Sequence, residues 1–224
     1  MVTELIRRNG YLINHKRIEA IWKEESLQCP RKIAKKRHVK TPWQRDIVAS
    51  KPNEVWAYDF VFEKTRYGKK VRILAIIDEY SRECVALHVA DRINSHGVKA
   101  VLDDLLCERG APKYIRSDNG SEFVAQHLQD WLHDCGIEPL YVDPGSPWQN
   151  GFAESFNGTM RRECLDRETW GSRSEVNVVL QWWRLLYNNF RPHSSIGKKT
   201  PSEFAKAAFA SLNRPLSEDD ECQL

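Results

Sequence analysis

Residues 55–62 read Val55-Trp-Ala-Tyr-Asp59-Phe-Val-Phe62, a run of β-branched and aromatic residues interrupted by a single carboxylate. The composition predicts a strand. A lone carboxylate there is costly unless it is paired, hydrogen-bonded or bound to a cation. Asp59 therefore asks for an explanation, with a buried ion pair as the structural alternative. Working outward, 71–77 and 84–89 have the same character, and Tyr67-Gly68-Lys69-Lys70 turns the first strand into the second, so three antiparallel strands are expected in series. Asn94 or Ser95 can cap a helix carrying Val98, Val101, Leu102, Leu105 and Leu106, which stops at Gly110-Ala-Pro112. A short strand over 113–117, a helix over 121–135 and a fifth strand over 137–142 follow. Further helices are predicted over about 150–165 and 174–190, the second ended by Arg191-Pro192. This order describes an α/β architecture, a mixed five-stranded sheet flanked by helices.

A chain of 224 residues, with 29% charged and 41% hydrophobic residues and a mean hydropathy of −0.59, suits a globular domain of ample core. No stretch approaches the roughly 20 apolar residues of a membrane span. The first residues, Met1-Val-Thr-Glu-Leu-Ile-Arg-Arg, lack a secretory signal, so a cytoplasmic location is expected. The six cysteines are scattered, without zinc spacing, and read as reduced thiols. Charge is uneven: residues 1–50 hold 12 Lys+Arg against 5 Asp+Glu, so the basic excess is N-terminal. It peaks at Arg31-Lys32-Ile-Ala-Lys35-Lys36-Arg37-His38-Val-Lys40, a candidate phosphate-neutralising run or a solvated linker. One short amphipathic helix is expected over 13–25, capped by Asn14. Ser217-Glu-Asp-Asp-Glu221 makes the other end acidic.

Three carboxylates stand apart from the many on polar helix faces. Asp59 lies inside the first strand. Asp118 ends the fourth in Arg116-Ser-Asp118-Asn-Gly-Ser-Glu-Phe123, at the carboxyl edge where α/β proteins build sites; a plain Asp-Asn-Gly turn is the alternative. Glu154 opens a helix in Gln149-Asn-Gly-Phe-Ala-Glu154-Ser-Phe-Asn-Gly. At about 100° per residue, Phe152, Phe156 and Met160 share one face, with Glu154 and Arg161 on the other. The intervals between the three carboxylates are 58 and 35 residues.

With these motifs, and with Tyr187-Asn-Asn-Phe-Arg-Pro-His193-Ser-Ser-Ile-Gly-Lys-Lys-Thr-Pro201-Ser-Glu-Phe204, residues 51–205 resemble the catalytic domain of retroviral-integrase-like DDE transposases. The resemblance is strongest to the second-frame (OrfB) product of insertion sequences of the "IS-three" family. It implies an RNase H-like fold, a transposase activity of DNA cleavage and strand transfer, and Asp59, Asp118 and Glu154 as catalytic and metal-binding triad. The chemistry is independently reasonable: phosphodiester transfer needs charge neutralised at both the attacking and leaving oxygens, which two Mg²⁺ or Mn²⁺ ions about 3.5–4 Å apart supply, and such ions prefer carboxylate oxygens.

Further candidates for DNA contact are Arg161, Arg162, Asn119 and Asn157, with Lys35, Lys36 and Arg37 in the basic run. Trp182 and Trp183 read as core, and His193 as a fold-stabilising hydrogen-bonding residue. The expected organisation is a basic N-terminal helical segment and linker over 1–50, resembling part of a helix-turn-helix region, a DDE catalytic domain over 51–208 and an acidic tail over 209–224. Expected partners are element-end and target DNA, a second copy of the chain, and a first-frame (OrfA-type) polypeptide or fusion, with no membrane. The competing function is a catalytically silent DNA-binding remnant that regulates transposition.

Overall fold

A computed structural model describes residues 1–27, 47–142 and 147–212. Its centre is a sheet of five strands, β1 (Val55–Lys64), β2 (Lys70–Asp78), β3 (Cys84–Ala90), β4 (Tyr114–Ser117) and β5 (Glu138–Tyr141), in spatial order β3-β2-β1-β4-β5. The first three strands form an antiparallel meander, with Asp59 opposite Ala75 across β1 and β2. β4 and β5 add in parallel, Val55 pairing with Tyr114 and Tyr114 with Glu138. The mixed sheet expected from the strand order is therefore present, with connections matching hairpins on one side of β1 and helical crossovers on the other.

Helices cover both faces: α3 (Ser95–Arg109) and α4 (Gln126–Asp134) on one, α5 (Gly151–Glu163) and α6 (Arg173–Asn189) on the other. Period-two alternation in β1 sorts the packing. Trp56 and Tyr58 point into the α3/α4 core with Leu74, Leu102, Phe123 and Leu128, whereas Ala57 and Val61 join Phe156, Met160, Leu180 and Trp183 beneath α5 and α6. Each fully buried Leu, Ile or Phe in these layers contributes about 1.5–3 kcal/mol. α6 is tied to edge strand β3 by Asn188, whose Oδ1 accepts from the Cys84 N–H at 2.8 Å while its Nδ2 donates to the Cys84 carbonyl at 3.0 Å.

Sequence punctuation explains several boundaries. Asn94 caps α3 by accepting from the Gly97 N–H, and Gly110 ends it at φ 78°, where a side chain would be strained. Ser172 caps α6 through the Glu175 N–H. The helix expected over 121–135 is shorter than predicted: a turn in which Phe123 and Val124 N–H donate to the Gly120 carbonyl is broken from α4 by Ala125, whose backbone is extended at φ −61°, ψ 127°. That turn drops Phe123 into the core against Tyr58 and Phe60, with ring centroids at 4.2 and 4.7 Å. The gain from burying a Phe outweighs one more turn of helix.

Two helices escaped the periodicity analysis. The N-terminal segment holds two helices, α1 (Val2–Arg8) and α2 (His15–Glu24), where one was expected; α1 is a two-turn helix with no buried residue, its Val2, Leu5 and Ile6 only partly covered. α7 (Pro201–Leu212) carried a legible signal that was overlooked: Thr200-Pro-Ser-Glu203 forms a reciprocal capping box, Glu203 N–H donating to Thr200 Oγ1 at 3.2 Å and Thr200 N–H to Glu203 Oε2 at 2.8 Å. Trp183 is buried as expected, but Trp182 is 63% exposed, since consecutive helical residues diverge by about 100° and cannot share a face. Among the described residues Cys84, Cys107, Cys135 and Cys164 are free thiols, and burial pushes Cys84 up to about 12. No helix among them is long and apolar enough to cross a membrane. The basic run with Lys35, Lys36 and Arg37, and the acidic tail after 212, lie outside the described residues.

Candidate active site

The β1–β4 register decides how the first two carboxylates meet. Val55, Trp56 and Ala57 pair with Tyr114, Ile115 and Arg116, a constant offset of 59 positions. Continued two residues, the offset places Asp118 beside Asp59, just past the end of β4 at Ser117. Adjacent strands lie about 4.8 Å apart, so two carboxylates on this register are near neighbours. Asp118 is steadied by its own turn: Gly120 N–H donates to Oδ1 at 2.9 Å, and a Cβ at Gly120 would stand 3.0 Å from that oxygen. Glycine thus lets the backbone close on the carboxylate.

The third carboxylate arrives on α5, packed across β1 and β2. Asn157 Nδ2 donates to Asp59 Oδ2 at 2.8 Å, while Asp59 Oδ1 accepts from the Phe60 N–H at 2.7 Å. Glu154 precedes Asn157 by three residues, so both lie on the same side of the helix. Phe156 and Met160 are buried and Glu154 is exposed, as the helical periodicity predicts.

Electrostatics marks the convergence. Burial pushes Asp59 up to about 6, the Phe60 and Asn157 hydrogen bonds pull it back, and the negative charges of Asp118 and Glu154 add to the rise. Among the described residues no Lys or Arg forms an ion pair with any of the three. Three acids directed at shared space with no matching cation form an all-oxygen donor set suited to hard divalent ions. Among the described residues no three His, Cys, Asp or Glu side chains stand at the spacing of a metal cluster.

The remaining sequence candidates divide. Asn157, read from sequence as a DNA contact, is buried and holds Asp59; its i+3 spacing from Glu154 was the available signal. Asn119 Nδ2 donates to the Val142 carbonyl at 2.8 Å, tying the Asp118 turn to the end of β5. Arg161 is anchored on β1 through the Phe62 carbonyl at 2.6 Å and Glu63 at 3.4 Å. Arg162 reaches Thr159 Oγ1 at 3.2 Å on its own helix. His193 is 9% exposed, its ring edge-on to Tyr187 at 4.7 Å, and burial together with Arg191 and Arg82 lowers it to about 4.

Comparison with known proteins meets this geometry from outside. Two models described as integrase core domains match residues 49–147 and 135–201. The chain is 37% identical over 205 residues to the 39.2 kDa protein of insertion element IS476 from Xanthomonas euvesicatoria, covering 90% of this chain and 58% of that protein. It is 35% identical over 213 residues to the 31.7 kDa protein of IS407 from Burkholderia multivorans, covering 95% and 76%. Transposase InsF of IS3A from Escherichia coli is 25% identical over 215 residues, covering 91% and 74%. Among solved structures, the HTLV-2 integrase catalytic core in complex with magnesium superposes with a TM-score of 0.54 at 17% identity, covering 70% of this chain and 99% of that one. That likeness concerns the fold, which is the RNase H-like fold of retroviral integrase cores. With the IS407 relative spanned over three quarters of its length and the integrase core matched in two contiguous parts, the chain belongs to the insertion-sequence transposases with an integrase-like core.

Proposed function

We propose that the chain catalyses metal-dependent DNA strand cleavage and strand transfer in the movement of an insertion element, with Asp59, Asp118 and Glu154 as its catalytic and metal-holding carboxylates. The observation that carries this reading is the convergence of three acids from a strand centre, a strand end and a helix start, without a matching cation. The chain spans 58% of the length of the IS476 relative, so the activity of a longer polypeptide is part of the proposal.

Two Mg²⁺ or Mn²⁺ ions would supply charge neutralisation at the attacking and leaving oxygens of a phosphodiester. The chain's own contribution is to aim and charge the ligands. Asn157 and the Phe60 N–H fix the plane of Asp59, and the Gly120 N–H fixes Asp118 through one oxygen. Glu154, exposed at the first turn of α5, is free to complete the set as DNA arrives. Because Asp59 binds its proton up to about pH 6, its ligand form is populated above that pH.

Within this proposal Arg162 and the Lys35, Lys36 and Arg37 run contact phosphates, while Arg161, Asn119 and Asn157 serve mainly to place the site. The partners are element-end and target DNA, further copies of the chain and a first-frame polypeptide, and the work is done on cytoplasmic DNA. The test pairs two measurements. Mn²⁺ titrated calorimetrically into the protein with an element-end duplex should bind, and binding should be lost in Asp59→Ala, Asp118→Ala and Glu154→Ala. Asp118→Asn should abolish Mg²⁺- or Mn²⁺-dependent cleavage while DNA affinity persists; retained cleavage overturns the assignment.

A further inference from the structure

On the other side of α5 from the carboxylates lies a cleft of about 840 Å³. Its walls come from three distant parts of the chain: α1, the Arg82 turn after β2, and the segment 191–198 that joins α6 to α7. Long-range contacts hold it together. Arg8 forks onto Glu203 at 3.1 and 3.0 Å and donates to the Lys198 carbonyl at 2.8 Å, docking α1 against the start of α7. Arg191 grips Glu163 at the end of α5 through three contacts of 2.8–3.0 Å, so its guanidinium is fixed before any ligand arrives.

The lining is rich in cations and donors. Arg7, Arg82, Arg191 and Lys198 face it against one carboxylate, Glu4, which lies 3.8 Å from Lys198. Hydroxyls of Ser155, Ser194 and Ser195 stand among them, over an aromatic floor that includes Phe152, on which Arg82 stacks at 3.6 Å, and Tyr187. A concave surface lined by one sign of charge focuses the field and concentrates anions. The proton affinity of His193 is lowered first by burial and then by the Arg191 and Arg82 charges.

Position selects the anion. Phe152, Phe156 and Thr159 line the cleft from the face of α5 opposite Glu154 and Asn157, so the helix separates the cleft from the carboxylates by about one helix diameter, roughly 10 Å. At about 3.4 Å rise per nucleotide of one strand, that is some three nucleotides. We propose that this cleft is a second binding groove for the sugar–phosphate backbone of DNA, in which Arg7 on the α1 wall, Arg82, Arg191 and Lys198 engage phosphates. The groove rests on the DNA-acting reading and extends it, by assigning the strand a path around α5 and giving the N-terminal helix a part in holding it.

The test is fluorescence-anisotropy titration of a labelled 30-base-pair duplex with the whole chain over a salt series. The double variant Arg7→Gln/Lys198→Gln is compared with Lys69→Gln/Lys113→Gln, an equal loss of charge at exposed sites outside the cleft. Neutralising two phosphate contacts should lower the slope of log affinity against log salt by about 1.8 and weaken binding about 10- to 100-fold at 0.1 M salt, and the comparison variant should change neither. Glu4→Gln breaks the ion pair with Lys198 but keeps every cation, and should bind at least as tightly as the parent. A cleft variant indistinguishable from the comparison variant, or a Glu4→Gln protein that loses affinity equally, overturns the groove and leaves the active-site reading standing. A parent chain that binds no duplex at low salt overturns both.

Discussion

Two groups of acids sit about 13 Å apart along β1, given its rise of about 3.3 Å per residue, and they are treated in opposite ways. At the start of the strand, Asp78 accepts hydrogen bonds from Asn53, Tyr80 and Ser81. Glu79 pairs with Arg116 at 2.8 Å with both side chains buried, and Glu83 pairs with Arg109. Every acid there has a partner. Four residues further along, Asp59 is partly buried, with two neutral donors, and faces two more acids. The difference lies in the charge nearby: Asp78 has the Arg109 charge beside its neutral donors and Glu79 an ion pair, whereas Asp59 faces further negative charge. The matched acids hold the strand ends together, and the unmatched ones leave a negative field for a ligand to complete.

This contrast can be broken experimentally, the largest effect being catalytic. Asp59→Asn, Asp118→Asn or Glu154→Gln should each lower metal-dependent cleavage by at least about a thousandfold, roughly 4 kcal/mol of barrier, with circular dichroism unchanged. By contrast, Arg116→Met, which removes one half of the buried ion pair with Glu79, should cost about 3–5 kcal/mol of stability by urea unfolding. Arg116→Met/Glu79→Leu should recover much of that loss. If Asp59→Asn destabilises as much as Arg116→Met, the distinction between the two groups fails.

The third effect is a matter of sign. The folded proton affinity of Asp59, at about 6, exceeds its ordinary value of 3.8, so the native state holds this proton more tightly than the unfolded chain. Its stabilising contribution is complete below about pH 4 and is lost as pH rises through 6, reaching about 2–3 kcal/mol. Asp59→Asn should thus be more stable than the parent at pH 8, with no difference near pH 4, measured as urea midpoints. Millimolar Mg²⁺ or Ca²⁺ should narrow the gap at pH 8, because a bound cation relieves the same repulsion. The smallest effect lies beyond both groups, near the far end of β1: the partly exposed Arg161–Glu63 pair should contribute less than about 1 kcal/mol in a double-mutant cycle.

Much of the site was legible in the sequence because it obeys local rules. An Asp in an aromatic strand, an Asp at a strand end and a Glu opposite an apolar helical stripe are patterns of period two and 3.6. The Asn157–Asp59 hydrogen bond was not legible in the sequence because it joins residues 98 positions apart. α1 was missed because its anchors, Lys198 and Glu203, lie some 190 positions along the chain.

The sequence by itself determined the strands and the main helices of the sheet's two faces, since propensity, capping and periodicity act within a few residues, while the grouping of Asp59, Asp118 and Glu154 into one candidate site came from the family resemblance. Only the tertiary structure decided that Asp59 is uncompensated while Asp78 and Glu79 are matched, and that Arg7, Arg82, Arg191 and Lys198 line one cleft. Desolvation and Coulomb energy depend on distance through space, which is set only once the sheet has its register and α5 has crossed it.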